Sequence, residues 1–290
     1  MAQATRRRVV ILLNDENIGL DSVGAALLLG VTPEDEVVTL SRGASDADLM
    51  DPSTICIRAG GAGRTDLNNY DLIPEASAAL QAFRLSDTPA IGDKLGLTGQ
   101  KRRSRLFNLV RYVDQIGRKD TSSCGRAPFP TVCDVFGGML LTEKRPVEQL
   151  HAGVRILKEV IGSGQDPYGT IKGFDAYVEA KVDGHLKRAL ESGGKIAWET
   201  TTDGHRLMSL RSSVQIPLPA LHKKGARVAI AFYPGTALIA GDGIDISAVL
   251  EELSFHETGW NINAKRSTIG RKGTTKLSLK AIEEAVMAAL

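Results

Sequence analysis

Strand and helix patterns alternate through the first third of the chain, and this alternation constrains the fold more than any other feature. Arg8 to Leu13 is a short run of β-branched residues and leucine, suited to a buried strand. Residues 14–20 hold polar residues and Gly19 and read as a loop. Asp21 to Leu29 (DSVGAALLL) reads as a helix with an acid near its start and Gly30 placed to end it. Val37 to Leu40 is a second strand, Ser45 to Met50 a helical turn or two, and Ile55 to Arg58 a third strand. The glycine-rich loop Gly60-Gly61-Ala62-Gly63 follows, then a helical Pro74 to Phe83 with proline in its first turn. Short links between such elements predict βαβ units on a mainly parallel sheet.

The middle of the chain is helical. Lys101 to Ile116 places Leu106, Leu109, Val110 and Val113 on one face, while Arg102, Arg103, Arg105 and Arg111 take much of the rest. Pro146 to Ile161 repeats the pattern, and the Gly- and Pro-bearing stretch 162–167 is the best hinge. Ile171 to Leu190 is a joining helix ended by Gly193-Gly194. Beyond it, Lys195 to Thr200, Arg206 to Leu210, Arg227 to Tyr233 and Trp260 to Ala264 read as strands, and Leu277 to Leu290 as a closing helix. The expected architecture is α/β. An N-terminal, mainly parallel sheet flanked by helices occupies residues 1–165, a helical linker 166–192, and a smaller C-terminal mixed α/β domain 193–290.

Counts narrow the function. The net charge of +2 is too balanced to argue for nucleic acid by charge alone. No apolar run reaches the ~18 residues of a membrane span. The basic start leads into VVILL, which Asn14, Asp15 and Glu16 soon break, so a secretory leader is not expected and the location expected is cytoplasmic. Cys56, Cys124 and Cys133 suit neither a disulfide framework nor a zinc site. The 5 histidines are His151, His185, His205, His222 and His256, so a site built from the first 150 residues has no imidazole.

Ligands of open parallel sheets lie at the carboxyl ends of the strands, which directs attention to two loops. After the first strand, Asn14, Asp15, Glu16, Asn17 and Asp21 suit a hard divalent cation, or else a solvated loop with Asp21 helping the helix begin. After the third strand, Gly60, Gly61 and Gly63 with Arg64 could cradle a phosphate, although neither a Walker loop nor GxGxxG is present. Asp71 and Asp114 are further acidic candidates. Residues 259–273 (GWNINAKRSTIGRKG) pack Lys265, Arg266, Arg271 and Lys272 around glycines and hydroxyls, suiting a phosphate or carboxylate ligand, or a solvent-facing basic hairpin. No serine-hydrolase elbow, HExxH or kinase set is present.

At these residues the chain resembles the DHH phosphoesterase superfamily, nearest the metal-dependent hydrolase branch that includes the melanocyte-proliferating-gene product. LLNDENIGLDSVGAALLLG (Leu12 to Gly30) has the shape of its first strand, loop and helix, with Asp21 on the acidic position. ICIRAGG (Ile55 to Gly61) and NNYD (Asn68 to Asp71) match the frame of its next motif, and GWNINAKRSTIGRKG looks like the glycine-rich, basic part of its C-terminal domain. The resemblance implies phosphate-ester chemistry on two metal ions, and the departures bear on that chemistry. Asp15 or Gly19 stands where histidine is expected, Arg58 replaces an aspartate, and Leu72 and Ile73 replace two histidines after Asp71. The later acidic position falls on Asp114, or on Gly117 in a shifted frame.

A fixed guanidinium where a dication would sit opposes it by several kcal/mol at contact range. The favoured reading is therefore a DHH-like protein with a degenerate metal site, needing no cofactor. It binds a phosphorylated small molecule, a nucleotide or a nucleic-acid end through Arg58, Gly60, Gly61, Arg64, Lys265, Arg266 and Arg271 without two-metal catalysis. The alternative is an active Mn²⁺- or Mg²⁺-dependent phosphoesterase of phosphodiesterase or exonuclease type, with Asp15, Glu16, Asp21, Asp71 and Asp114 holding the ion. An unrelated α/β enzyme is a third reading. A homodimer is compatible with all three, and no membrane partner is expected.

Overall fold

The computed structural model describes residues 7–13, 15–51, 53–58, 100–117, 129–271 and 273–290. The chain divides into two compact units, Met1–Ala180 and Lys181–Leu290. The helix expected over Pro74 to Phe83 lies outside the described residues.

In the first unit, β1 (Arg8–Leu12), β2 (Glu36–Leu40) and β3 (Thr54–Ile57) form a parallel sheet in the order β2-β1-β3. The register aligns Val9 with Val37 and Ile55. Val9, Val10 and Ile11 are all buried, so both faces of the central β1 are covered, as its unbroken apolar run requires. Val9 and Ile11 join the main core, while Val10 and Cys56 face Val38, Leu40 and Leu49 on the other side. Burial pushes the Cys56 thiol up, keeping it protonated and inert. Between β1 and β2 runs α1 (Leu20–Leu28), and α2 (Asp46–Met50) precedes β3. Nearly every residue of α1 is buried, because it lies under two further helices, α3 (Gln100–Gly117) and α5 (Pro146–Ser163). Between those two comes α4 (Val132–Thr142), opened by a capping box in which Thr131 and Asp134 satisfy each other's backbone N–H groups. The next helix, α6 (Asp175–Glu191), contains the boundary between the units.

The amino edge of this sheet is closed by an ion pair. Gly30 takes the left-handed conformation (φ 65°) that ends α1. The Arg7 guanidinium donates to the exposed carbonyls of Leu29 (3.3 Å) and Gly30 (2.7 Å) and makes two bonds to Asp35, at 3.0 and 2.7 Å. Burial alone would push the Asp35 carboxyl up. The Arg7 charge and the N–H and hydroxyl of Thr32 outweigh it and hold the group below the ordinary carboxylate range. A carboxylate with a depressed folded-state pKa adds stability above its unfolded pKa of ~3.9, and that stability is lost as pH falls through the folded value. Acid unfolding monitored by circular dichroism should therefore steepen below about pH 4 in the wild type. Asp35→Asn should cost about 1 kcal/mol at neutral pH and flatten that part of the curve.

The second unit is a mixed sheet of β4 (Lys195–Thr200), β5 (Arg206–Arg211), β6 (Val228–Tyr233), β7 (Thr236–Gly241), β8 (Trp260–Ile262) and β9 (Thr268–Arg271). Their order is β4-β5-β6-β7-β9-β8, with β5–β6 parallel and the other pairs antiparallel. One face, bearing Leu207, Val228, Ile230, Ile239 and Ile269, forms a core with residues of α8 (Ser247–His256) and α9 (Leu279–Ala289). A short α7 (Leu218–Lys223) precedes β6. The buried Tyr233 hydroxyl fixes the approach to α7, donating to the Ile216 carbonyl (2.9 Å) and accepting from its N–H (2.8 Å). Among the described residues no helix is long and apolar enough to cross a membrane.

Candidate functional site

The carboxyl edge of the parallel sheet is built from the ends of β1 and β3. Their last paired residues are Ile11 and Ile57, so Arg58 leaves β3 beside the strand that leads into the Asp15–Glu16 loop. Three non-glycine residues at this edge take left-handed backbone: Asp15 (φ 47°), Glu16 (φ 70°) and Arg58 (φ 56°). For L-residues each such conformation costs about 1 kcal/mol and persists only where its surroundings impose it.

What imposes it on the first loop is Gln149, in the first turns of α5. Its side chain is 2% exposed. It accepts from the Ile18 N–H (3.1 Å) and donates to the Asn17 side-chain oxygen (2.9 Å) and the Glu143 carbonyl (3.0 Å). Asn17 in turn donates to the Asp15 carbonyl at 3.1 Å. The loop is thus tied to the helix behind it and presents Asp15 and Glu16 to solvent. Asp21 lies in the first turn of α1, where its charge complements the helix dipole. Gln149 escapes a search for charged or nucleophilic residues. The signal that could have found it is an amide within the apolar stripe that Leu150, Val154 and Leu157 continue.

Gly60, Gly61, Arg64, Asp71 and Lys272 lie outside the described residues, as does the side chain of Asp114. Among the described residues no group of three or more His, Cys, Asp or Glu side chains could hold a metal ion. The first unit does contain one histidine, His151 of α5. Burial lowers its pKa, and the acids near it are Asp35 and Glu34, which precede β2 at the opposite, amino edge of the sheet.

The basic segment 259–273 folds as the β8–β9 hairpin. Asn263 organises its turn by accepting from the N–H groups of Ser267 (2.9 Å) and Thr268 (3.2 Å), and Arg266 turns through φ 54°. Lys265 and Arg266 are exposed, and Arg266 lies 3.6 Å from Asp245. Arg271 differs from both. It pairs with Glu257 at 3.1 Å, both side chains largely covered, and donates to the carbonyls of Thr258 and Thr274. Burial alone would push the Glu257 carboxyl up. The bonds from Thr275 and Lys276 and the Arg271 charge hold it below the ordinary range. Arg271 thus ties β9 to the end of α8, and its charge is answered within the chain.

The second unit also has a cavity of ≈ 1010 Å³ on the sheet face opposite α8 and α9, lined by Gln215, Pro217, His222, Tyr233, Leu238 and Thr268 among others. His222 donates through Nδ1 to the Ala226 carbonyl at 2.8 Å, which leaves Nε2 as the acceptor nitrogen.

No family model matches the chain, and no curated protein matches it. Among solved structures it is similar to the pGpG-specific phosphodiesterase PggH of Vibrio cholerae, at 11% identity and a TM-score of 0.35 over 98% of each chain. It is similar to the DHH domain of a member of the s1p family of ribosomal proteins, at 12% identity and 0.33 over 97% of this chain and 85% of that one. The exonuclease RecJ bound to manganese gives 10% identity and 0.29 over 99% and 91%.

Proposed function

We propose that this chain is a DHH-like protein that binds a phosphorylated ligand, a nucleotide or the phosphorylated end of a nucleic acid, at the carboxyl edge of its parallel sheet without two-metal catalysis. The observation that carries the reading is Arg58. It is a permanent cation in left-handed backbone at the strand end, where an open sheet receives its ligand and where the resemblance calls for an aspartate. A guanidinium offers an anion two parallel charge-assisted hydrogen bonds and repels a dication. In the sequence Arg58 is followed by Gly60, Gly61 and Arg64, residue types that can offer an anion backbone N–H groups and a second charge. Lys265 and Arg266, exposed on the β8–β9 turn, belong to the second unit and are separate candidates for an anionic contact there. Arg271 is less suited than these, since Glu257 already answers its charge.

Calorimetric titration with 5′-AMP tests the reading. Arg58→Ala should weaken binding about tenfold or more, the loss of one charged hydrogen-bonding partner. Circular dichroism should show an unchanged fold. Hydrolysis of a generic phosphodiester that appears only with Mn²⁺ and vanishes in Asp21→Asn would overturn the proposal in favour of an active phosphoesterase. Unchanged 5′-AMP affinity in Arg58→Ala would remove Arg58 from the site.

A further inference from the structure

We infer that the edge strand β4 pairs with the β4 of a second copy of this chain, in antiparallel register about Ala197, joining two mixed sheets into one. Among the described residues β4 ends the strand order of its sheet, so one side of it offers backbone N–H and C=O groups with no strand beyond. Five of its six residues are exposed, including Trp198 at 42%. An exposed, aromatic-bearing sheet edge invites a further strand.

The occupant follows from the order of residues along the strand, Lys195-Ile196-Ala197-Trp198-Glu199. A two-fold axis through Ala197 sets Lys195 opposite the second copy's Glu199, and Glu199 opposite its Lys195. It sets Ile196 opposite Trp198 twice over. Side chains alternate between sheet faces, so the two charge pairs fall on one face and the two apolar pairs on the other. No salt bridge shorter than 4.0 Å engages Lys195 or Glu199 among the described residues. The register within the chain agrees with this division. Ile196 and Trp198 pair with the buried Leu210 and Met208 of β5, and Arg206 stacks over the Trp198 ring at 4.5 Å, holding it in place. Such self-complementarity is what an isologous contact between identical chains requires. One shifted register would set Lys195 against the second copy's Lys195, and another Glu199 against Glu199, so charge selects the pairing as well as favouring it.

A contact of six residues a side is smaller than a standard interface, so the dimer should form at tens to hundreds of micromolar. Sedimentation equilibrium of the full chain over that range should show a monomer–dimer equilibrium. Lys195→Glu and Glu199→Lys each convert both charge pairs into like-charge pairs and should weaken the dimer about tenfold or more. The double exchange Lys195→Glu with Glu199→Lys restores both pairs and should restore the dimer. Ala197→Cys should cross-link to its own copy under mild oxidation, because residues directly opposed in an antiparallel pair lie within disulfide reach. Thr200→Cys, ~20 Å from its counterpart in this register, should not. A monomer throughout, a dimer indifferent to the single reversals or not restored by the exchange, or equal cross-linking at both cysteines overturns the inference. Each variant's thermal melt reports separately that it has folded.

Discussion

Replacing Gly138 with alanine should unfold much of this protein at temperatures where the wild type is intact. Gly138 lies in the middle of α4, where a helix ordinarily prefers alanine by up to ~1 kcal/mol. Here a Cβ would lie 1.7 Å from the Tyr177 carbonyl oxygen and 2.5 Å from its carbon, both backbone atoms of α6. A side chain in the way could rotate, but a carbonyl inside a helix moves only with the helix. That stretch of α6 cannot slide freely, since the Tyr177 hydroxyl donates to Glu143 and accepts from Arg155, each at 3.0 Å. Relief of the clash therefore requires breaking these bonds or opening the core around Val135, Met139 and Val178. Overpacking of this kind costs about 3 kcal/mol. Gly162→Ala is the control. The same change near the end of α5 meets nothing within 4 Å and should stabilise by about 0.5 kcal/mol. Urea unfolding of the two variants should move the midpoint in opposite directions.

Gly138 also shows why part of the fold was hard to read. The described strands and helices of the first third follow periodicity, since β1 is a run of large aliphatics and α1 a run of small and aliphatic residues closed by glycine. The run VCDVFGGMLLT carries two consecutive glycines, which argue locally for a turn and conceal α4. The fold uses one of them to let two helices approach, a requirement set by Tyr177, 39 residues away. In the second unit β7, β9, α7 and α8 are likewise missed. Trp260 to Ala264 reads as one strand, but β8 stops at Ile262 because the Asn263 side chain turns back to bond Ser267 and Thr268.

The site is readable to a different degree. Sequence places Asp15 and Arg58 at strand ends, and the sheet brings those ends side by side through the parallel pairing of β1 with β3. Charge alone made Arg266 and Arg271 look alike. Tertiary partners separate them, since Arg271 meets a covered Glu257 and Arg266 meets an exposed Asp245. A basic residue held by a covered acid of its own chain is less available to a ligand than one beside an exposed acid, and the segment's own spacing does not contain that information.

Gln149→Leu should be the second large loss, and it should act at the edge proposed to receive the ligand. The substitution keeps a side chain of similar size but removes three hydrogen bonds at once. The Ile18 N–H, the Asn17 side-chain oxygen and the Glu143 carbonyl lose a partner from which the surrounding core excludes water. Such groups cost 1–3 kcal/mol each when left unpaired, less where a shift lets water in, so about 3 kcal/mol in all is expected. The adjacent loop then has no tie to α5, and the left-handed Asp15 and Glu16 should relax toward ordinary backbone. Gln149→Glu separates packing from hydrogen bonding. The carboxylate still accepts from Ile18, but it faces the Asn17 oxygen and the Glu143 carbonyl with no N–H to offer, so it should recover at most part of the loss. Amide exchange at Ile18 should accelerate by about tenfold or more in Gln149→Leu, with the β2 amides little changed. A stable variant with Ile18 still protected would show that the loop holds its shape without this amide, and the left-handed residues at the sheet edge would then need another cause.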